Sequence, residues 1–182
     1  RAHSLVEGLP ASAAKAIVLS QIARYRALAE ENEEAIEIGR EALAMAEALE
    51  LDEVRAHALD NIAIAKLSSG DPTCVEDLER SIEIALAARS PEAGRASINL
   101  GTALWQLGDL RRACTILEEA IAVGERYGYV MHAYARLLRV EARFARGKWE
   151  DGLREADEFL AACEAGEPHY LESVIRKERA GA

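Results

Sequence analysis

The chain has 182 residues, half of them apolar, 30% charged and only 5% aromatic. That balance excludes a disordered chain and favours closely packed helices, rich in Ala and Leu, over a sheet core. With 32 acidic against 22 basic residues the formal net charge is −10, which argues against direct nucleic-acid binding by this fragment.

Residues 1–9 read as the tail of a helix, with Leu5, Val6 and Leu9 apolar. The apolar spacing then predicts helices over 12–30, 33–49, 52–69, 72–88, 91–107, 110–126, 130–146, 149–164 and 169–180. Pro10, Pro72, Pro91 and Pro168 fall at proposed helix starts, where a missing N–H costs nothing. Asp71 and Ser90 precede two of them as N-cap residues. Gly70, Gly108 and Gly147 sit in the turns that follow first helices, each available as a left-handed cap, and Asn32 is expected to serve in the first turn. Tyr127-Gly128-Tyr129 reads as a turn between repeats. The segment from His169 to Arg179 is short and charged: either a cap on the last apolar face or the first helix of a further pair.

A period of 39 residues runs through this order. Ala35, Cys74, Ala113 and Gly152 keep it, as do Ala42, Ser81, Ala120 and Phe159. So do Leu43, Ile82, Ile121 and Leu160, and Ala46, Ala85, Gly124 and Cys163. These columns lie at offsets that share one face of a helix. Ile22-Ala23, Ile62-Ala63 and Leu100-Gly101 match on the preceding helices. The repeating unit is therefore two antiparallel helices, and the units run over about 12–50, 51–89, 90–128 and 129–166 in one continuous domain, 1–182. The chain begins at Arg1 without Met and is expected to be a fragment of a larger protein.

Residues 96–113, with Leu100-Gly101, Gly108-Asp109 and Ala113 followed by Ala120, resemble the tetratricopeptide repeat family. The resemblance covers residues 12–165 and implies an all-α, right-handed superhelical solenoid of about four hairpins plus a C-terminal helix. Two departures stand out. The period exceeds the family's usual 34, and the fourth unit places Arg139-Val140 at the Leu-Gly pair and Phe159 where a small residue belongs. Long repeats rich in Ala, Glu and Arg are similar in style to arrays of LuxR-type and cyclase-linked signal-transduction ATPases. That likeness implies a cytoplasmic bacterial module for signalling or transcription regulation.

The family resemblance further implies a protein or peptide ligand, held on a concave surface lined by the first helix of each pair. The faces expected to be exposed there carry Ile17, Gln21, Arg24 and Leu28, then His57, Asn61, Ile64 and Ser68, then Arg95, Asn99, Thr102 and Gln106. An asparagine suits a ligand backbone because its amide both donates and accepts. Asn61, Arg95, Asn99 and Thr102 are thus candidate partner-binding residues. Arg136, Arg139, Arg143 and Arg146 form a basic stripe that either clamps an acidic peptide, carboxylate or phosphate or pairs with Glu118, Glu119 or Glu150. The alternative function is a sensor module that binds a small anionic effector in that concave groove. Self-association through the terminal repeats is a further option.

Trp105 and Trp149 are expected to pack between helices, and Cys74, Cys114 and Cys163 to behave as small hydrophobes, since they form no CxxC pair. Neither a cofactor nor a metal is expected. No phosphate loop, HExxH or GxSxG motif occurs, so the chain is not expected to be an enzyme. No run of residues is apolar enough for a membrane span.

Overall fold

A computed structural model of the chain describes residues 2–127, 132–166 and 169–181. Ten α-helices and no strand occur among the described residues. They are α1 (Ala2–Val6), α2 (Ala13–Leu28), α3 (Asn32–Ala48), α4 (Asp52–Ser68), α5 (Cys74–Ala87), α6 (Glu92–Gln106), α7 (Leu110–Tyr127), α8 (His132–Ala145), α9 (Trp149–Glu164) and α10 (Glu172–Gly181). Every expected helix is present, and most ends agree within two residues. The turn at Gly128-Tyr129 and the start at Pro168 lie outside the described residues. Contacts cluster into two compact units, Arg1–Asn99 and Leu100–Ala182.

The shifted starts have local causes. Asp71 Oδ1 accepts the Thr73 N–H at 2.9 Å, so a turn occupies 71–73 before α5 begins. His169 Nδ1 accepts the Leu171 N–H at 3.2 Å and holds the chain out of helix until Glu172. Ser90 caps as anticipated, accepting from Glu92 N, and two caps not anticipated join it: Ser12 accepts from Lys15 N and Asp109 from Arg112 N.

The turns share one backbone solution, in which the residue after the helix end adopts positive φ and the next N–H reaches back to close it. Asp71 N bonds Lys66 O, Asp109 N bonds Leu104 O and Lys148 N bonds Arg143 O, each at 2.8–2.9 Å. Gly70, Gly108 and Gly147 supply the positive φ there. Asn32 does not serve in the first turn. Glu30 adopts φ 62 instead, and Asn32 is already the first residue of α3. Glu50 and Arg89 take the same conformation, so three of these turns carry a side chain where glycine is preferred.

In the first unit, Leu19 and Ala23 of α2 pack with Ile38 and Ala42 of α3 and Ala58 of α4. A second cluster joins Ala27, Ala35 and Ala65 toward the other end of these helices. The small residues set the spacing: a Cβ on Gly39 would lie 2.6 Å from Ile62 Cγ1. Lys15 is 8% exposed and donates to the carbonyls of Glu7 and Leu9, tying the segment after α1 to α2.

In the second unit a Cβ on Gly101 of α6 would meet Leu117 of α7 at 2.6 Å, so the Leu-Gly pair admits a leucine. Thirty-nine residues on, the sizes exchange: Val140 occupies the glycine column and Ala156 the leucine column, and both join one buried cluster. The departure in the fourth unit is thus a large-for-small swap across the pair, not a loss of packing. Phe159 fills the same cluster beside Leu171 and Ile175, which bring the face of α10 into this core.

Candidate functional site

The first helices of the first unit are joined by polar side chains. Asp60 of α4 is 1% exposed. It receives Arg95 Nη1 of α6 at 2.6 Å and Asn99 Nδ2 at 2.9 and 3.0 Å on its two oxygens. Burial pushes the Asp60 carboxyl up, with Arg95 and Asn99 pulling against it. Arg95 also donates to Glu92 through Nε and to Asn61 Oδ1 at 3.2 Å. Asn61 Nδ2 donates to the Ser20 carbonyl of α2 at 3.0 Å and approaches His57 Nδ1 at 3.1 Å.

These contacts fix the His57 tautomer. A guanidinium only donates, so the Asn61 atom facing Arg95 is the amide oxygen and the other is the NH2 group. That NH2 requires His57 Nδ1 to be an acceptor, and Ser20 Oγ, 2.6 Å from the same nitrogen, donates to it as well. The ring proton therefore sits on Nε2; the Gln21 amide nitrogen 3.5 Å away is also a donor, so in this tautomer the two do not hydrogen-bond. Burial, with the charge of Arg95 beside it, pulls the imidazole down from 6.5 to about 4, so the ring is neutral near pH 7.

A cleft of about 280 Å³ opens beside this network. Ile17, Val54 and Pro91 form its apolar walls, Ser20, Gln21 and His57 its polar part, and Glu53 and Glu92 stand at its edge. Ile17 is 48% exposed and Gln21 half-buried.

The candidate residues are therefore placed as follows. Arg95 and Asn99 converge on Asp60, Asn61 joins them by accepting from Arg95, and Thr102 lies half-buried one turn past Asn99 on α6. The face of α4 expected to be exposed is so only at its end: Asn61 is 2% exposed and His57 is buried with it, Ile64 is half-buried, and Ser68 faces solvent. Neighbouring first helices approach closely enough here to enclose these side chains. Ser20 and Asp60 escaped the sequence reading. The signal for Asp60 was a polar Asp60-Asn61 pair inside the otherwise apolar run from Ala58 to Ala65; nothing comparable marked Ser20.

The second unit holds the arginine stripe. Arg136, Arg139 and Arg143 of α8 converge on Glu155 of α9, which is 3% exposed. Arg139 Nε lies 3.0 Å from both carboxylate oxygens and its Nη2 is 2.5 Å from Oε1. Arg143 Nη1 reaches Oε2 at 2.6 Å. Arg136 stands off, with Nε 3.7 Å from Oε1 and its guanidinium 5.6 Å from the Phe159 ring centroid. Of the expected acidic partners, Glu118 is engaged, at 3.3 Å from Arg139 Nη1. Glu155 was overlooked because it shares a helix face with the small residues Gly152 and Ala156.

Trp149 stacks on Phe144 with ring centroids 5.6 Å apart, yet half of it is exposed. Cys74 is buried, and burial pushes its thiol up; Cys114 and Cys163 are half-buried. Among the described residues no group of His, Cys, Asp or Glu could hold a metal ion, and no helix is long and apolar enough to cross a membrane.

No sequence-family model matches the chain, and no curated protein matches it. Solved structures do. A putative kinesin light chain with nearly identical TPR-like repeats from Podosopora anserina is 18% identical, with a TM-score of 0.75 over 90% of this chain and 82% of that one. A Rap protein complexed with competence and sporulation factor is 18% identical, with a TM-score of 0.79 over 89% of this chain and 46% of that one. Apo RapI is 12% identical, with a TM-score of 0.78 over 91% and 61%. The fold is accordingly one of TPR-like, that is tetratricopeptide-like, helical repeats.

Proposed function

We propose that residues 1–182 act as one polypeptide-binding repeat domain of a larger bacterial signalling or transcription regulator in the cytoplasm. The observation that carries this reading is the cleft of the first unit, where apolar walls meet the His57 ring and the Gln21 amide. A peptide needs both: an apolar surface for a side chain and hydrogen-bonding groups for its backbone. In this reading Arg95 and Asn99 hold α6 to α4 through Asp60, Asn61 ties α4 to α2 through the Ser20 carbonyl, and Thr102 extends the same face of α6. Fold precedent supports it, since the Rap protein of similar fold was solved in complex with competence and sporulation factor.

The test is site-specific photo-crosslinking. Benzoylphenylalanine at Ile17 should give one crosslinked polypeptide, identified by mass spectrometry. A synthetic segment of it should bind the purified chain and lose binding on Val54→Glu. The same probe at Glu76, exposed on α5, is the control. Equal crosslinking from both positions would remove the cleft assignment.

A second reading, a sensor of a small anionic effector, is favoured by the three guanidiniums gathered on one carboxylate in the second unit.

A further inference from the structure

We propose that Arg136, with Arg139 and Arg143, forms a binding site for a phosphate group, and that Glu118 and Glu155 occupy part of it in the free protein. This inference rests on the anionic-effector reading and assigns it residues and a ligand class.

Charge is the first observation. Three guanidiniums meet one buried carboxylate, Glu155, and one exposed carboxylate, Glu118, whose side chain is 68% exposed. A positive excess remains on one helix face of a chain whose net charge is −10. Donors are the second. Three guanidiniums carry far more N–H groups than two carboxylates can accept, and Glu155 takes its short contacts from Arg139 and Arg143 alone. Arg136 approaches Glu155 through Nε at 3.7 Å, beyond hydrogen-bond reach.

Preorganisation is the third. The Phe159 ring holds the Arg136 guanidinium from one side, and Phe159 itself is buried in the core of α8, α9 and α10. The ring positions the guanidinium, while its ion pair with Glu155 stays beyond hydrogen-bond distance. Residues 136, 139 and 143 share one face of α8, as three- and four-residue steps require. A phosphate dianion offers three acceptor oxygens and matches the positive excess better than a single carboxylate does. On binding it would displace Glu118 from Arg139 Nη1, while Glu155 keeps its contacts with Arg139 and Arg143.

The test titrates the full chain with sodium pyrophosphate and, separately, with N-acetyl-phosphoserine amide. Binding is followed through the arginine Nε resonances at constant ionic strength set with NaCl. Saturable binding of either probe is expected: pyrophosphate for a free effector, or the phosphoserine compound alone for a peptide-borne group. Arg136→Ala should weaken binding about tenfold while leaving the helical circular dichroism unchanged, because the Arg139 and Arg143 contacts to Glu155 remain. Glu118→Gln should tighten it about threefold, an effect that a purely structural ion pair does not produce. Saturable binding that survives Arg136→Ala would overturn this site while leaving the anionic-effector reading standing. A response to both probes no greater than that to NaCl would overturn both.

Discussion

Arg95 Nη1 lies 2.6 Å from Asp60 Oδ2, and the aspartate side chain is 1% exposed. This pair crosses between α4 and α6 and orients Asn61 and Asn99 beside it. A buried ion pair of this kind contributes little net stability, yet removing one partner strands a charge. Arg95→Ala is expected to destabilise the chain by about 3–5 kcal/mol, measured by urea unfolding. Adding Asp60→Leu to it should recover part of that loss. Strict additivity of the two changes would show that the pair is not coupled.

His57 gives the chain a pH response. Its folded value of about 4 lies below the ordinary 6.5, so between these pH values the unfolded chain binds more protons. Stability contributed by the neutral ring is complete above pH 6.5 and is lost as pH falls toward 4. Relative to His57→Gln, the wild type should lose on the order of 2 kcal/mol across that window. The raised Asp60 carboxyl acts with the opposite sign, gaining stability as pH falls through its folded value, and is common to both proteins. Parallel urea curves at pH 4.5 and 7 decide it; an unchanged difference would contradict the neutral-ring assignment.

Gly101→Ala tests the close approach of α6 to Leu117. The added Cβ would lie 2.6 Å from both Cγ and Cδ2 of Leu117, an overpacking that costs about 1–3 kcal/mol. Leu117→Val in the same chain should relieve part of the cost, even though it shrinks the core on its own. A Gly101→Ala variant more stable than wild type would mean that the gain in helix propensity wins instead.

The three side-chain residues at positive φ are sites for stabilisation. Glu50→Gly and Arg89→Gly should each raise stability by about 0.5–1 kcal/mol, because the left-handed conformation costs a non-glycine residue about 1–2 kcal/mol and glycine's unfolded freedom returns part of it. Gly108→Ala should do the reverse at φ 86. Thermal midpoints for the three variants check the set.

The helices were legible because their signals are local. Apolar spacing, the glycine turns and the cap at Ser90 all act within a few residues. The 39-residue period was legible for a related reason: each second helix repeats the same small-residue face, as at Ala35, Cys74 and Ala113, all fully buried. The cap at Glu30 was missed because a strained residue leaves no compositional mark when the surrounding turn holds it in place.

The candidate site was legible only in part. Asn61, Arg95 and Asn99 were picked out by their helix faces, and the three arginines by their spacing. Their partners were not, because Asp60 lies 39 residues from Asn99 and Glu155 lies 16 from Arg139. No sequence pattern states which of many carboxylates a given guanidinium meets.

By itself the sequence determined an all-α chain of paired helices, where each pair begins and ends, and which small residues permit close packing. These follow from backbone propensity and periodicity, which are properties of short segments. Only the tertiary structure decided which polar side chains are enclosed and which face water. Asn61 and Glu155 look like surface residues in sequence, yet neighbouring helices bury both. Burial depends on the distance between helices, and that distance is set jointly by side chains far apart in the chain, such as Gly39 with Ile62 and Gly101 with Leu117.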